Sequence, residues 1–205
     1  MRWNHACQKI SNTRDCPSTT GSWAGKVIGM KDPAQRIHEA IRDVQDFPEP
    51  GIVFKDITPV LQDADLFRLS LNQLMLPIEG LPIDKVVGID ARGFIFGAPV
   101  AMGIGAGFVP IRKKGKLPYA CLENSYELEY GKATVEIHKD AIKPGERVLL
   151  VDDLLATGGT AAAAIKLLSE LGADLVACHF LIELDFLKGR EKLPTEAPVR
   201  SILNY

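Results

Sequence analysis

The chain has few cysteines, and their spacing matches neither a disulfide framework nor a zinc site. Only four occur among 205 residues, and no two form a C-x-x-C pair. Disulfide-rich domains and structural zinc sites both need denser, paired cysteines. The four histidines form no H-E-x-x-H pattern. We therefore expect a reducing, cytoplasmic setting and no metal site built directly from protein ligands. The cysteines are Cys7, Cys16, Cys121 and Cys178.

An excess of charge of one sign is also missing. Lys plus Arg totals 24 and Asp plus Glu totals 26, which gives a formal net charge of -2. Proteins that hold nucleic acid through its backbone carry a basic surplus. The balance argues against a nucleic-acid partner, and any binding of phosphate must be local.

An unbroken apolar run long enough to span a membrane is not present. The longest uncharged stretch of interest, 93–111, contains five glycines and two prolines. Glycine and proline interrupt regular structure, so this stretch predicts a short helix followed by a strand, Phe108 to Ile111. We expect no association with a membrane.

The first 29 residues differ from the rest of the chain. They show no helical or strand period, and we expect residues 1–29 to be an unstructured extension before a single domain of residues 30–205. The first helix signal comes just afterwards, with Asp32 as N-cap, Pro33 in the first turn and Gln35 completing a capping pattern. Its predicted apolar stripe is Ile37, Ile41 and Val44.

Beyond residue 48 the chain alternates apolar runs with helical patterns, which predicts an α/β fold with a mainly parallel, twisted sheet flanked by helices. The runs are near-continuous, as expected when helices cover both faces of a sheet. One helix should follow Asp65, and another should run from Thr160 to Leu171 and stop at Gly172. Residues 133–137 alternate and predict a half-buried strand outside the core. The core strands are Lys85 to Ile89, Phe108 to Ile111, Arg147 to Val151 and Leu175 to Ile182.

The strongest chemical signal follows the strand that ends at Val151. Ligands collect at the carboxyl ends of strands in such sheets. Here Asp152 and Asp153 come first, then a turn of small residues, then an alanine-rich helix. The backbone NH groups and partial positive charge of a helix N-terminus bind phosphate, and glycines allow close approach. The turn is Ala156, Thr157, Gly158, Gly159 and Thr160. We expect it to bind a phosphate, while the two aspartates accept hydrogen bonds from sugar hydroxyls.

Two other phosphate motifs do not fit. A P-loop requires Lys directly after its last Gly, whereas Thr160 follows Gly159. A dinucleotide fingerprint follows a strand and opens a helix, but the glycines of 103–107 precede a strand.

The segment 148–160 resembles the phosphoribosyl diphosphate motif of the type I phosphoribosyltransferases along its full length. Residues 47–51, 54–59, 112–116, 128–131 and 187–192 are similar to the adenine-specific branch of that family. The resemblance covers residues 33–205. It implies the family's fold, with a small hood formed by the N- and C-terminal segments and a mobile lid. It also implies a homodimer, and Mg²⁺ bound mainly by substrate and water.

The resemblance assigns roles to further residues. The turn Asp90, Ala91, Arg92 and Gly93 would hold the diphosphate group, and the Asp90–Ala91 peptide would be cis. The basic residues Arg112, Lys113 and Lys116 would also lie near the diphosphate. Segment 117–131 is polar without an apolar period, which predicts the lid. On the lid, Tyr130 would contact the phosphoribosyl group, and Glu129 would act in catalysis with Arg92 by stabilising a cationic ribosyl transition state.

The base would bind between Phe54 and Leu184, with the backbone near Val53 and Lys55 reading its edge. The implied reaction transfers phosphoribosyl to adenine, giving AMP and diphosphate. Two alternatives stay open: a phosphoribosyltransferase for another base, and a regulator that senses phosphoribosyl diphosphate. Ala156 argues against the hypoxanthine and guanine enzymes, which typically place Asp there. Residues 1–29 contain no helix-turn-helix pattern, which argues against a regulator.

Overall fold

Seven strands form one sheet within residues 31–128, 131–195 and 198–205, which are the residues that the computed structural model describes. They are β3 (Lys85–Ile89), β4 (Gly107–Lys113), β5 (Cys121–Leu128), β6 (Gly131–His138), β7 (Arg147–Leu155), β8 (Asp174–Glu183) and β9 (Val199–Asn204). Their order is β5-β6-β4-β3-β7-β8-β9. The strands β4, β3, β7, β8 and β9 are parallel, whereas β5 and β6 form an antiparallel hairpin at one edge. The predicted mainly parallel sheet is confirmed.

Helices cover both faces of this sheet. They are α1 (Pro33–Ala40), α2 (Thr58–Gln62), α3 (Ala64–Met75), α4 (Gly93–Ile104) and α5 (Gly159–Glu170). In β7, Val148 and Leu150 belong to the core under α5, while Leu149 and Val151 belong to the core under α1, α3 and α4. Full burial of such a side chain stabilises the fold by about 1.5–3 kcal/mol. Burial on both faces explains why the predicted strands have near-continuous apolar sequences.

The first helix starts as predicted but ends earlier. The Asp32 carboxylate accepts from the backbone NH of Gln35 at 3.4 Å, and Pro33 is the first helical residue. The helix stops at Ala40, however, because the following residues form strand β1 (Arg42–Gln45) and pair with β2 (Val53–Asp56). The prediction of a helical stripe therefore holds for Ile37 but is wrong for Ile41, which is the extended C-cap residue, and for Val44.

Helix α3 begins two residues earlier than predicted, at Ala64. Its cap is Asp63, whose carboxylate accepts from the backbone NH groups of Asp65 at 2.9 Å and Leu66 at 3.0 Å. The uncharged stretch 93–111 forms α4 and most of β4, as predicted. Among the described residues, no helix combines the length and hydropathy needed to cross a membrane.

The segment expected to be a lid without regular structure contains strand β5. Along it, side chains alternate between half-buried and exposed, but Asn124 occupies one of the half-buried positions. A polar residue there hides the period in the sequence, while backbone pairing with β6 supports the strand. The predictions for Glu129 and Tyr130, like those for residues 1–29, lie outside the described residues.

The N- and C-terminal parts of residues 31–205 contact each other, as the implied hood requires. The His38 ring of α1 stacks on the ring of Tyr205, with centroids 5.1 Å apart. The Lys55 ammonium of β2 lies 4.1 Å from the centroid of the same tyrosine ring. The residue that follows β9 is thus held beside the β1–β2 hairpin.

Candidate active site

The turn between β7 and α5, Ala156–Thr160, is called the phosphate loop below. Gly158 has φ of +76°, a conformation that favours glycine, and it immediately precedes α5. The described side chains provide no cap for this helix start. Its first NH groups have no acceptor within the helix. They are therefore available to an anion, and the helix dipole favours negative charge at the same point.

A cavity of about 360 Å³ joins the phosphate loop to the turn after β3. It is lined by Ile89, Asp90, Ala91, Arg92, by all of Asp152 to Thr160, and by Ala161. These two chain segments lie together because β3 and β7 are neighbouring parallel strands. The structure thus brings the two predicted strand ends into one site.

The paired aspartates lie within β7, which extends to Leu155 and not only to Val151 as predicted. Asp153 is buried, and its Oδ2 lies 2.8 Å from the Arg92 Nε. Asp152 is only partly buried, and its Oδ1 accepts from the backbone NH of Asp153 at 2.9 Å.

Both aspartates have raised pKa values in this environment. Burial raises the pKa of Asp152 well above its ordinary value, and the Asp153 carboxylate raises it further. Burial also raises the pKa of Asp153, although the Arg92 guanidinium opposes that shift. A ligand that presents hydroxyl donors or a cation would favour the ionised forms.

The turn Asp90–Gly93 approaches Asp152 closely. The Asp90–Ala91 peptide is cis, as the resemblance predicted. A Cβ on Gly93 would lie 2.6 Å from the Asp152 Oδ1, so only glycine fits there without displacing the carboxylate. Arg112 reaches the same turn, with its Nε 3.1 Å from the Asp90 Oδ2. Glycine at the end of the Asp-Ala-Arg-Gly pattern thus allows this turn to pack closely against Asp152 of β7.

Of the three basic residues predicted near the diphosphate, only Arg112 contacts a residue that lines the cavity, namely Asp90. Arg112 also donates from Nη1 to the backbone oxygen of Lys116 at 3.2 Å, which connects the turn to the end of the basic run. The side chains of Lys113 and Lys116 are exposed, and neither residue lines the cavity in the described part of the chain. Their predicted contact with diphosphate stays a prediction.

The predicted base site lies beside Arg92. The Arg92 Cζ is 5.3 Å from the centroid of the half-buried Phe54 ring, and Phe47 contacts that ring edge-on at 5.2 Å. Val53 is exposed, whereas the Lys55 ammonium pairs with Asp43 at 2.7 Å. Leu184, directly after β8, is partly buried against the core. Arg92 therefore contacts both a cavity carboxylate and the aromatic ring assigned to the base.

Comparisons with known proteins agree with this geometry. The model of the phosphoribosyl transferase domain matches residues 74–204. An adenine phosphoribosyltransferase of Acidothermus cellulolyticus is 59% identical over 163 residues, which cover 80% of this chain and 92% of the relative. The crystal structure of the enzyme from Rhodothermus marinus has 54% identity and a TM-score of 0.81, covering 84% of this chain and 98% of that one. The chain belongs to the adenine phosphoribosyltransferase family.

Another solved adenine phosphoribosyltransferase bears on the ligands of this family. The Saccharomyces cerevisiae protein, in complex with adenine and an imino-altritol bisphosphate, is 44% identical, with a TM-score of 0.79. The match covers 83% of this chain and 98% of the yeast chain. The seven-stranded sheet flanked by helices is the fold of the type I phosphoribosyltransferases.

One support of the phosphate loop could not be predicted from its own sequence. Gly158 and Gly189 lie back to back, and a Cβ on either would overlap backbone oxygen of the other segment, of Gly189 or of Ala156. Gly189 is followed by Arg190, whose Nε donates to the buried Glu183 at 2.9 Å. Segment 187–192 therefore supports the phosphate loop from behind. The similarity of 187–192 to the family was the only sequence signal for it.

Proposed function

We propose that this chain transfers the phosphoribosyl group of 5-phospho-α-D-ribose 1-diphosphate to N9 of adenine, forming AMP and diphosphate in purine salvage. The single observation that carries the proposal is the shared cavity. It places a helix N-terminus, two carboxylates and an arginine around about 360 Å³. Phosphate, sugar hydroxyls and diphosphate are the groups that these three features bind.

The phosphate loop holds the 5-phosphate. Backbone NH groups at the start of α5 donate to its oxygens, and Thr157 and Thr160 line the same cavity. Asp152 and Asp153 accept from the ribose hydroxyls. This contact offsets the cost of ionising two adjacent, partly desolvated carboxylates.

Arg92 holds the diphosphate with the backbone of Asp90–Gly93. To bind the diphosphate, the Arg92 side chain either breaks its ion pair with Asp153 or contacts both groups at once. It can reorient because it is 38% exposed. As the bond to diphosphate lengthens, positive charge develops on the sugar ring and negative charge on the leaving group. Arg92 stabilises the leaving group electrostatically, and Glu129 is the family's matching group for the sugar. The reaction needs no covalent nucleophile from the protein.

The cofactor of this reaction is Mg²⁺, and the residues present fit the way it binds. The described residues hold no group of three or more His, Cys, Asp or Glu that could form a protein cage. Mg²⁺ commonly keeps several waters and is held by substrate phosphates with one or two carboxylates. Asp152 and Asp153 would hold it through water, where it would neutralise charge on the diphosphate.

Adenine binds beside Phe54, in the region where Arg92 also lies. The ring of Phe54 stacks on the base, Leu184 covers the opposite face, and backbone groups of 53–55 read its edge. Support comes from the yeast relative, whose solved complex contains adenine. The absence of an acid at position 156 fits a base without a 6-oxo group.

We also place the protein in the cytoplasm as a homodimer, with residues 1–29 outside the catalytic domain. Residues 31–205 form one compact unit, which supports this boundary. Light scattering on a sizing column tests the dimer: a monomeric mass in the active sample would contradict it.

The function is tested by a panel of bases. Diphosphate release is measured with Mg²⁺ and phosphoribosyl diphosphate, and separately with adenine, hypoxanthine, guanine, xanthine or orotate. We expect release with adenine, and little with the others. Preference for another base would refute the assigned specificity. Binding of phosphoribosyl diphosphate without turnover of any base would favour the regulator.

A further inference from the structure

Tyr126 contacts the phosphate loop from outside the cavity. It lies on β5, and its phenol oxygen accepts a hydrogen bond from the Thr160 Oγ1 at 2.9 Å. A Cβ on the neighbouring Gly159 would lie 3.2 Å from the tyrosine ring, so the ring also packs on the loop backbone. Tyr126 is half-buried and is not among the residues that line the described cavity. These contacts of Tyr126 are thus with the phosphate loop.

The hydroxyl of Thr160 has a single proton, which makes this contact directional. A phosphate oxygen only accepts, so Thr160 must donate its proton to bind phosphate. In this structure Thr160 donates that proton to Tyr126. When phosphate binds, the pair therefore reverses, and the tyrosine hydroxyl, which can donate or accept, donates to the Thr160 oxygen. The chain of donors Tyr126 to Thr160 to phosphate satisfies all three groups, and each hydrogen bond polarises the next. Without the phenol, the Thr160 hydroxyl loses the partner that fixes its rotation.

We propose that Tyr126 is a positioning residue that orients the Thr160 hydroxyl toward the 5-phosphate of the substrate. The proposal rests on the proposed function, because it assigns the phosphate loop to that phosphate. It predicts an effect on the phosphoribosyl ligand alone. The adenine site includes neither Tyr126 nor Thr160.

The same strand offers a matched control. The Ser125 Oγ lies 2.8 Å from the Thr134 Oγ1, which is a second hydroxyl pair on this hairpin. Successive residues of a strand point to opposite faces, and Ser125 is exposed on the face away from the loop. Ser125→Ala thus removes one hydroxyl from the same strand without touching the phosphate loop.

The test is a double-mutant cycle on the full chain. Tyr126→Phe keeps the ring and removes only the hydroxyl, and Thr160→Ala removes its partner. Titration with ribose 5-phosphate gives Kd without any turnover, and steady-state assays give KM for both substrates. We expect Tyr126→Phe to raise the Kd for ribose 5-phosphate and the KM for phosphoribosyl diphosphate by about 3- to 10-fold. The KM for adenine and the melting temperature should stay unchanged, as should all values for Ser125→Ala.

The cycle distinguishes orientation of the Thr160 hydroxyl by Tyr126 from general structural support of the phosphate loop. In the Thr160→Ala background, Tyr126→Phe should have no further effect, because the hydroxyl to be oriented is gone. The same weakening in both backgrounds, or none in either, would overturn the proposal. A parent protein that binds ribose 5-phosphate but does not use adenine would refute the proposed function alone, and the cycle of Kd values would still decide the role of Tyr126.

Discussion

Replacing Asp152 and Asp153 together by asparagine should separate stability from turnover. Both carboxylates have pKa values raised by burial, so keeping them ionised at neutral pH costs the folded state free energy. Asparagine has nearly the same shape and carries no charge. The variant loses the ion pair between Arg92 and Asp153, but Arg92 is 38% exposed, so solvent screens much of that attraction. We expect the double variant to melt at or above the temperature of the parent.

The pH dependence gives the sign of this effect. An acid whose pKa is raised on folding is destabilising when ionised, and the penalty is present above the folded-state pKa. It decreases as the pH falls through that value and is gone below the unfolded value of about 3.9. The variant should therefore gain most over the parent at neutral or alkaline pH, and the difference should shrink on acidification. Chemical denaturation at several pH values measures it.

The expected loss of activity is much larger. A hydrogen bond to a charged group contributes about 1.5–3 kcal/mol. Since about 1.4 kcal/mol corresponds to a factor of ten, one lost contact to a ribose hydroxyl should lower kcat/KM by about 10- to 150-fold. Losing two should exceed the effect of either single variant. Lower thermal stability with turnover per folded molecule close to that of the parent would show that the pair only supports the turn, and would refute this reasoning.

Three further predictions concern other parts of the chain. Phe54→Ala should raise the KM for adenine by about 10-fold, with a smaller effect on phosphoribosyl diphosphate, and equal weakening of both would indicate core packing instead. Gly189→Ala should raise the KM for phosphoribosyl diphosphate by about 10- to 100-fold, because the new Cβ displaces the Ala156 carbonyl. In the control Gly107→Ala, the atoms nearest to the new Cβ belong to the flexible Lys85 side chain, at 3.1 Å, and to the Asp84 backbone oxygen, at 3.7 Å, so a similar loss there would contradict this prediction. Removing residues 1–29 should leave melting temperature and turnover nearly unchanged, and a large fall in either would show that this segment supports the domain.

The parts of the fold that sequence reasoning predicted are those with a strong local signal. The apolar strands β3 and β7 and the polar residues after them are adjacent in sequence, and the parallel topology then places both strand ends in one cavity. The phosphate loop was predictable for the same reason, since its glycines directly precede an alanine-rich helix.

What sequence reasoning missed depends on contacts between distant segments. The pairing of β1 with β2 ends helix α1 early, although Val44 continues the helical period. Strand β5 is supported by its ladder with β6, and the polar Asn124 at a half-buried position conceals its period. The ion pair of Asp153 with Arg92 and the contact of Gly158 with Gly189 join residues far apart in the chain. Local propensity carries no information about such pairs.

The most direct test of the central claim locates the phosphate on the protein. Amide chemical shifts are recorded on the full chain during titration with ribose 5-phosphate. We predict that the largest shifts occur at Gly158, Gly159 and Thr160, where the first NH groups of α5 meet the cavity. The largest shifts at a different surface, such as the groove lined by Leu76 and Leu81, with the phosphate loop unaffected, would contradict the assignment of this loop as the phosphoribosyl site.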